Sequence, residues 1–291
     1  MSLPLGRPRG SDVSRLESDY YTHMGFDPDH AREVLGFYLP KLLDHGPVLE
    51  LACGRGELLG LLAKAGVEAV GVDLDEGMAE AAGRDGVEVV VADALEYLHW
   101  DPPPGPFGAV FNAHFLEHLT PEQVMRVVAG ARRVLRPGGR FVAATPNPAC
   151  YAVLSRDFWR DPSHIRFYDL PLLEFFCRQA GLEVVESGGN PANHPGAPPG
   201  FHAAAPTVHP GLEASLSRTS QQAAGALRHG RLGPGRPGHD PGWAQELVHL
   251  VGVLAERLTA TQEALRELHR AHEALLAGMY ESNEIYVVAR A

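Results

Sequence analysis

Two aspartates and a pair of glycines recur in the first third of the chain at intervals suited to holding a nucleoside. Val48-Leu-Glu-Leu-Ala-Cys-Gly-Arg-Gly-Glu57 reads as an apolar strand that runs into a glycine turn and then directly into a helix. Glycine permits positive φ and close backbone approach to a ligand, and a helix N-terminus presents unpaired N–H groups. Gly54 and Gly56 therefore form a candidate cradle, with Glu50 and Ala52 on the strand beside it. Dinucleotide binders share such a turn, but position 59 is Leu where G-x-G-x-x-G has its third glycine, which weighs against a pyrophosphate ligand. About 20 residues further on, Gly71-Val-Asp-Leu-Asp75 puts an acid at the tip of a second strand, where Asp73 can accept both ribose hydroxyls. Asp75 is placed to cap the next helix. In Val91-Ala-Asp-Ala-Leu95, Asp93 at a third strand tip can accept from an adenine amino group, with Ala94 alongside and Leu74 and Leu95 flanking the ring.

A second cluster, Asn112-Ala-His-Phe-Leu-Glu-His118, follows a fourth apolar run. His114, Glu117 and His118 stand at i, i+3 and i+4 and would share one face of a helical turn. That pattern suits three roles. His118 can be a general base oriented by Glu117. The set can hold a divalent metal. Or Glu117 and His118 simply tether the loop. The stretch 157–168 is aromatic and carries Arg160 and Arg166, which suit either a substrate wall gripping an anionic group or an Arg–Asp network holding the loop.

These residues need a scaffold, and the apolar pattern supplies one. Helical spacing covers Asp29 to His45 and ends at Gly46-Pro47. Short apolar runs at 48–52, 69–72, 87–92, 109–112 and 140–144 alternate with helical segments at 57–65, 76–82 and 121–135, and 170–180 precedes a sixth strand at 182–186. Alternation of this kind predicts parallel β-α-β units and a sheet covered on both faces. Residues 187–242 are rich in Gly, Pro, Ala and His and read as a flexible insertion whose histidines (His194, His202, His209, His229, His239) are solvated loop residues. A long helix is expected over 243–278, with leucines that break strict heptad spacing at Thr261 and His272. A strand at 284–289 must pair with something, and a return to the same sheet is the economical solution. The expected organisation is thus a tail or lid at 1–28, a domain of 29–186 plus 284–291, the insertion, and the long helix.

Composition narrows the function. A formal charge of −11 disfavours a nucleic-acid binder. The three cysteines, Cys53, Cys150 and Cys177, lack metal spacing and fit a reducing compartment. With no apolar run long enough to span a bilayer and no leader pattern, a cytoplasmic protein is expected.

Taken together, Glu50, Cys53, Gly54, Gly56, Asp73, Asp93 and the Leu135-Arg-Pro-Gly-Gly139 turn resemble class I S-adenosylmethionine-dependent methyltransferases. The resemblance runs over about residues 30–186 plus the final strand. It implies a Rossmann-like α/β fold with a seven-stranded sheet in the order 3-2-1-4-5-7-6, the last strand antiparallel. It further implies S-adenosylmethionine held by Glu50, Ala52, Gly54, Gly56, Asp73, Leu74, Asp93, Ala94, Leu95, Asn112 and Ala113. Methyl transfer to a small-molecule or sugar acceptor, at oxygen, is then expected, with His118, Glu117 and His164 serving the nucleophile. Some members place Glu-x-x-Glu-His and a later His around a divalent metal; here His114 stands in place of the first Glu, and His164 in Asp161-Pro-Ser-His-Ile-Arg166 would be the later His, giving a set of His114, Glu117, His118 and His164. Tyr20 and Tyr21 fall where relatives carry an N-terminal lid, and the long helix suits pairing with a second copy. Rival readings are N- or C-methyl transfer, a non-catalytic scaffold on the same fold, and a nucleotide-dependent oxidoreductase.

Overall fold

A computed structural model describes residues 16–84, 86–100, 105–194, 214–215, 217–219, 221–222, 225 and 242–291. Its Cα packing divides the chain into two compact units, 1–196 with 279–291, and 197–278. The first unit holds one seven-stranded sheet in the order β3-β2-β1-β4-β5-β7-β6. The strands are β1 (Val48–Leu51), β2 (Ala69–Asp73), β3 (Val89–Val91), β4 (Phe107–Ala113), β5 (Leu135–Pro146), β6 (Glu183–Gly189) and β7 (Glu284–Arg290). Strands β1 to β5 pair in parallel, and β7 runs antiparallel to both β5 and β6. The expected strand order is therefore the observed one.

Period-2 alternation along the central strands feeds two cores. Leu49, Leu51, Val110, Phe141, Ala143 and Val287 pack on one face against α6 (Ala94–Tyr97), α7 (Pro121–Val134) and α8 (Leu170–Gln179). Val48, Ala109, Phe111, Val142 and Val288 pack on the other with Tyr38, Leu42, Leu58 and Leu62. Helix α7 starts at a complete capping box, in which Thr120 and Gln123 each accept from the other's backbone N–H.

Four boundaries differ from the sequence reading. The helix expected over 29–45 is two pieces, α2 (Pro28–Gly36) and α3 (Leu39–Leu42), because the chain bends at Phe37 to send Tyr38 into the core. The tail contains a helix, α1 (Leu16–Met24), whose first turn is fastened to the Asp75 carboxylate. Strand β6 continues to Gly189, drawn on by its pairing with β7, so the segment between these strands starts later than residue 187. Strand β5 begins at Leu135 and takes in the Arg-Pro-Gly-Gly turn, since Leu135 pairs with Phe107. The remaining helices of the first unit are α4 (Glu57–Lys64) and α5 (Glu76–Arg84).

In the second unit, α9 (Gly242–Met279) carries exposed Leu250, Leu254, Leu265, Leu268 and Leu275. No helix among the described residues is long and apolar enough to cross a membrane. His202, His209, His229 and His239 lie outside the described residues.

Candidate active site

The order of the strands reverses between β1 and β4, and open α/β sheets bind ligands at the C-terminal ends of strands around such a point. Glu50 pairs with Gly71 of β2 and with Phe111 of β4, which brings the tips of the three strands to one edge. Two non-glycine residues at these tips adopt left-handed backbone, Ala52 at φ 51° and His114 at φ 53°. Such conformations cost on the order of 1 kcal/mol or more and concentrate at functional sites.

The glycine turn is built as its sequence implies. Gly54 and Gly56 have φ of 54° and 78°. A Cβ on Gly54 would meet nothing within 4 Å, so this backbone faces open space, while a Cβ on Gly56 would fall 2.9 Å from that of Ala82. Asp73 organises the turn. Its two carboxylate oxygens accept from Gly54 N–H at 2.8 Å and Asp75 N–H at 2.8 Å. Burial raises the Asp73 pKa above the ordinary aspartate range, and these amides oppose the rise. Glu50 is buried with one oxygen unpartnered, and burial beside Glu57 and Asp73 pushes its pKa well up. Leu74 is 68% exposed at the same edge, whereas Leu95 is buried. Asp93 caps α6 by accepting from Glu96 N–H at 3.0 Å, a role the sequence reading did not assign. Asn112 is fully buried, and neither atom of its amide has a partner. An orphaned amide of this kind calls for a further polar group.

Helix α1 lies over the β2 tip. Asp75 caps α5 through Met78 N–H at 3.0 Å, as the sequence implied, and its second oxygen accepts from Glu17 N–H and Ser18 N–H at 3.1 and 3.2 Å. Tyr21 packs on Phe26 at 4.5 Å between ring centroids, and the Arg55 guanidinium sits 5.6 Å from the Tyr21 centroid. Desolvation, followed by repulsion from Asp73, Asp75, Asp161 and Glu117, raises the Glu17 carboxyl to about 7.

Beyond β4, Leu116–His118 is a 3-10 turn. Glu117 is fully buried, with Oε2 accepting from Thr145 Oγ–H at 3.0 Å and Oε1 lacking a hydrogen bond. Ser163 gives its hydroxyl proton to Asp161, so it accepts from His118 Nδ1–H at 2.9 Å. That leaves His118 Nε2 bare. His164 Nδ1–H donates to the Phe158 carbonyl at 2.6 Å, and its Nε2 lies 3.9 Å from Asp161 Oδ2 and 4.0 Å from Glu117 Oε1. One ligand atom from each of Glu117, His118 and His164 lies within 4.8 Å of the other two. Burial holds the His118 pKa below the usual histidine range despite the nearby Glu117, so the ring is neutral at pH 7.

His114 does not join this trio. Its Nε2 lies 2.8 Å from Glu284 Oε2 and its Nδ1 3.3 Å from Glu117 Oε1. Burial lowers its pKa, but the two carboxylates outweigh that and raise it to about 10. Of the set His114, Glu117, His118 and His164, the last three come together, while both ring nitrogens of His114 face carboxylates. Arg160 and Arg166 divide: Arg160 lies 3.8 Å from Asp157, and Arg166 stacks over Tyr168 at 5.1 Å. Sequence reasoning also missed Thr145, Ser163 and Glu284 as partners of the cluster. Only Ser163 carried a local signal, its place beside His164.

The fold and this edge define a Rossmann-like domain with a glycine turn beside a histidine–carboxylate cluster. Residues 48–139 match the family model described as a methyltransferase domain. The chain is 36% identical over 147 residues to a ubiquinone biosynthesis O-methyltransferase of Methylococcus capsulatus, covering 46% of this chain and 61% of that one. It is 31% identical over 144 residues to a probable S-adenosylmethionine-dependent methyltransferase of Mycolicibacterium smegmatis, covering 49% and 54%. The chain thus spans little more than half the length of these curated relatives. A crystal structure of an S-adenosylmethionine-dependent methyltransferase from Archaeoglobus fulgidus superposes with a TM-score of 0.67 at 20% identity, over 94% of this chain and 99% of that one, and shares the fold. Over residues 48–139 the chain thus matches a methyltransferase domain, and it shares the fold of the Archaeoglobus structure.

Proposed function

We propose that this chain transfers a methyl group from S-adenosylmethionine to a hydroxyl oxygen of a small-molecule or sugar acceptor, with His118 taking the hydroxyl proton. The observation that carries this reading is the neutral His118 ring with Nε2 bare, set beside Glu117 and His164 at the sheet edge that also bears Gly54 and Asp73. When bound, S-adenosylmethionine supplies an activated methyl group, so the protein's task is alignment and proton removal. Asp73 holds the ribose, the Gly54 backbone lets the ligand approach closely, Leu74 and Asp93 receive the adenine, and the unpartnered Asn112 amide is free to bond to it. The open space above Gly54 and that orphaned amide are what fit the chain to this cofactor. Ser163, backed by Asp161, holds His118 in the tautomer that accepts a proton. The names of the O-methyltransferase relatives support transfer to oxygen.

A second reading is favoured by the grouping of Glu117, His118 and His164, in which one ligand atom of each lies within 4.8 Å of the other two. In it, Glu117, His118 and His164 hold a divalent cation, which would lower the pKa of an acceptor hydroxyl. The test follows S-adenosylhomocysteine formation by mass spectrometry across a panel of catechols, phenols and sugars. His118→Gln is expected to slow transfer by roughly 100-fold to 10,000-fold while leaving calorimetric affinity for S-adenosylhomocysteine near that of the wild type. A fully active His118→Gln enzyme removes the base. Activity lost in EDTA and restored by magnesium or manganese selects the metal reading.

A further inference from the structure

Glu284 opens the last strand of the sheet, 167 positions beyond Glu117 in the sequence, yet the two carboxylates share one histidine. The Glu284 side chain is fully buried, and four donors meet it. Oε1 accepts from Tyr38 O–H at 2.6 Å and Asn190 Nδ2 at 2.6 Å; Oε2 accepts from His114 Nε2 at 2.8 Å and Asn193 Nδ2 at 3.2 Å. These bonds and the His114 charge, working against burial, keep Glu284 below the ordinary glutamate range. Burying a carboxylate is costly unless it is paired and hydrogen-bonded. Fastening the strand does not need it, because the backbone here is already held: Glu284 pairs with Pro146, and its carbonyl accepts from Asn190 N–H at 3.1 Å.

What the carboxylate fixes is His114. The residue keeps a left-handed backbone at φ 53°, and both ring nitrogens face carboxylates, so it can act neither as base nor as ligand. Its Nδ1 lies 3.3 Å from Glu117 Oε1, the oxygen that also stands 4.0 Å from His164 Nε2, while Oε2 is held separately by Thr145. We infer that Glu284 is a positioning residue of the reaction centre, acting through His114 to set the Glu117 carboxylate against His118 and His164. The inference rests on the reading of those three residues as the reaction centre.

The test uses the full-length protein labelled with nitrogen-15, with the ring signals of His118 and His164 assigned through His118→Gln and His164→Gln. Glu284→Gln keeps size and one acceptor but removes the charge that holds His114. Both ring signals are expected to shift in it, and a crystal structure is expected to show the Glu117 carboxylate displaced, while affinity for S-adenosylhomocysteine stays within about twofold of wild type. Tyr38→Phe takes a hydrogen bond from the same carboxylate without touching His114, and should leave the two signals in place. Should Glu284→Gln fail to fold, His114→Asn carries the same expectation. Unmoved His118 and His164 signals in the folded variant, or equal shifts in Tyr38→Phe, would reduce Glu284 to a structural residue and overturn the proposal. A wild-type protein that binds no S-adenosylhomocysteine would instead overturn the methyl-transfer reading, and the ring-signal comparison would still decide the role of Glu284.

Discussion

Replacing Asp73 with Asn tests the cofactor cradle at its most constrained point. The carboxylate offers about four acceptor positions, and two are already taken by Gly54 N–H and Asp75 N–H at 2.8 Å each. Two remain for the hydroxyls of a ribose. Asn substitutes a donor for one oxygen. That donor must face either a backbone N–H, breaking the turn, or a hydroxyl, losing the charge-assisted bond. Hydrogen bonds to charged groups contribute about 1.5–3 kcal/mol each. The surviving carbonyl bond also weakens with the charge gone, so about 2–4 kcal/mol is lost. At about 1.4 kcal/mol per tenfold, the dissociation constant for S-adenosylhomocysteine should rise roughly 30-fold to 1,000-fold. Isothermal titration calorimetry reads this directly, and a thermal melt without ligand separates it from unfolding. Because burial raises the Asp73 pKa, wild-type affinity should also begin to fall at a higher pH than an ordinary aspartate would allow, and the Asn variant should lack that loss. An Asn variant that melts like wild type and binds within about threefold of it refutes the ribose role.

Three further outcomes follow from the geometry. Gly71→Ala would place a Cβ 2.5 Å from Cys53 Sγ and 2.7 Å from Leu59 Cδ1; overpacking costs about 1–3 kcal/mol, so the melting midpoint should drop by several degrees, and an unchanged midpoint would mean the β1–α4 turn yields freely. Asp75→Ala removes the cap of α5 and both anchors of α1; amides of 17–24 should exchange with deuterium faster, with a cap loss near 1 kcal/mol, and unchanged exchange would show that α1 is held elsewhere. His114 has its pKa raised to about 10 in the folded state, against about 6.5 unfolded. Its contribution to stability is therefore fully present below about pH 6.5 and is lost as pH rises toward 10. Denaturant midpoints of wild type and His114→Asn should converge across that window, and parallel curves would place the charge elsewhere.

Most of the sheet was legible because its determinants are local. Each β-α-β unit announces itself through an apolar run, a turn and a helical stripe, and the lone strand at 284–290 has a single economical partner set. The misplaced boundaries share a different cause, which is tertiary. The chain leaves the helical path at Phe37 because Tyr38 reaches a carboxylate 246 residues away. Strand β6 runs on to Gly189 because β7 is there to pair with it. Neither partner can be seen from a window of neighbouring residues.

The reaction centre separates these two kinds of information more sharply. Spacing of i, i+3 and i+4 assumes 3.6 residues per turn, but Leu116–His118 is a 3-10 turn at 3.0, and His114 precedes it with φ positive. The His114–Glu117 contact survives this change, since i and i+3 eclipse in a tighter helix. His118 does not follow; it turns instead to Ser163, 45 residues on. A face that looked continuous in the sequence is thus split, with His114 between two carboxylates on one side and His118 and His164 gathered near Glu117 on the other. Glu117 belongs to both halves. That is why its neighbours, and not its own position in a motif, decide whether the centre takes a proton or holds a metal.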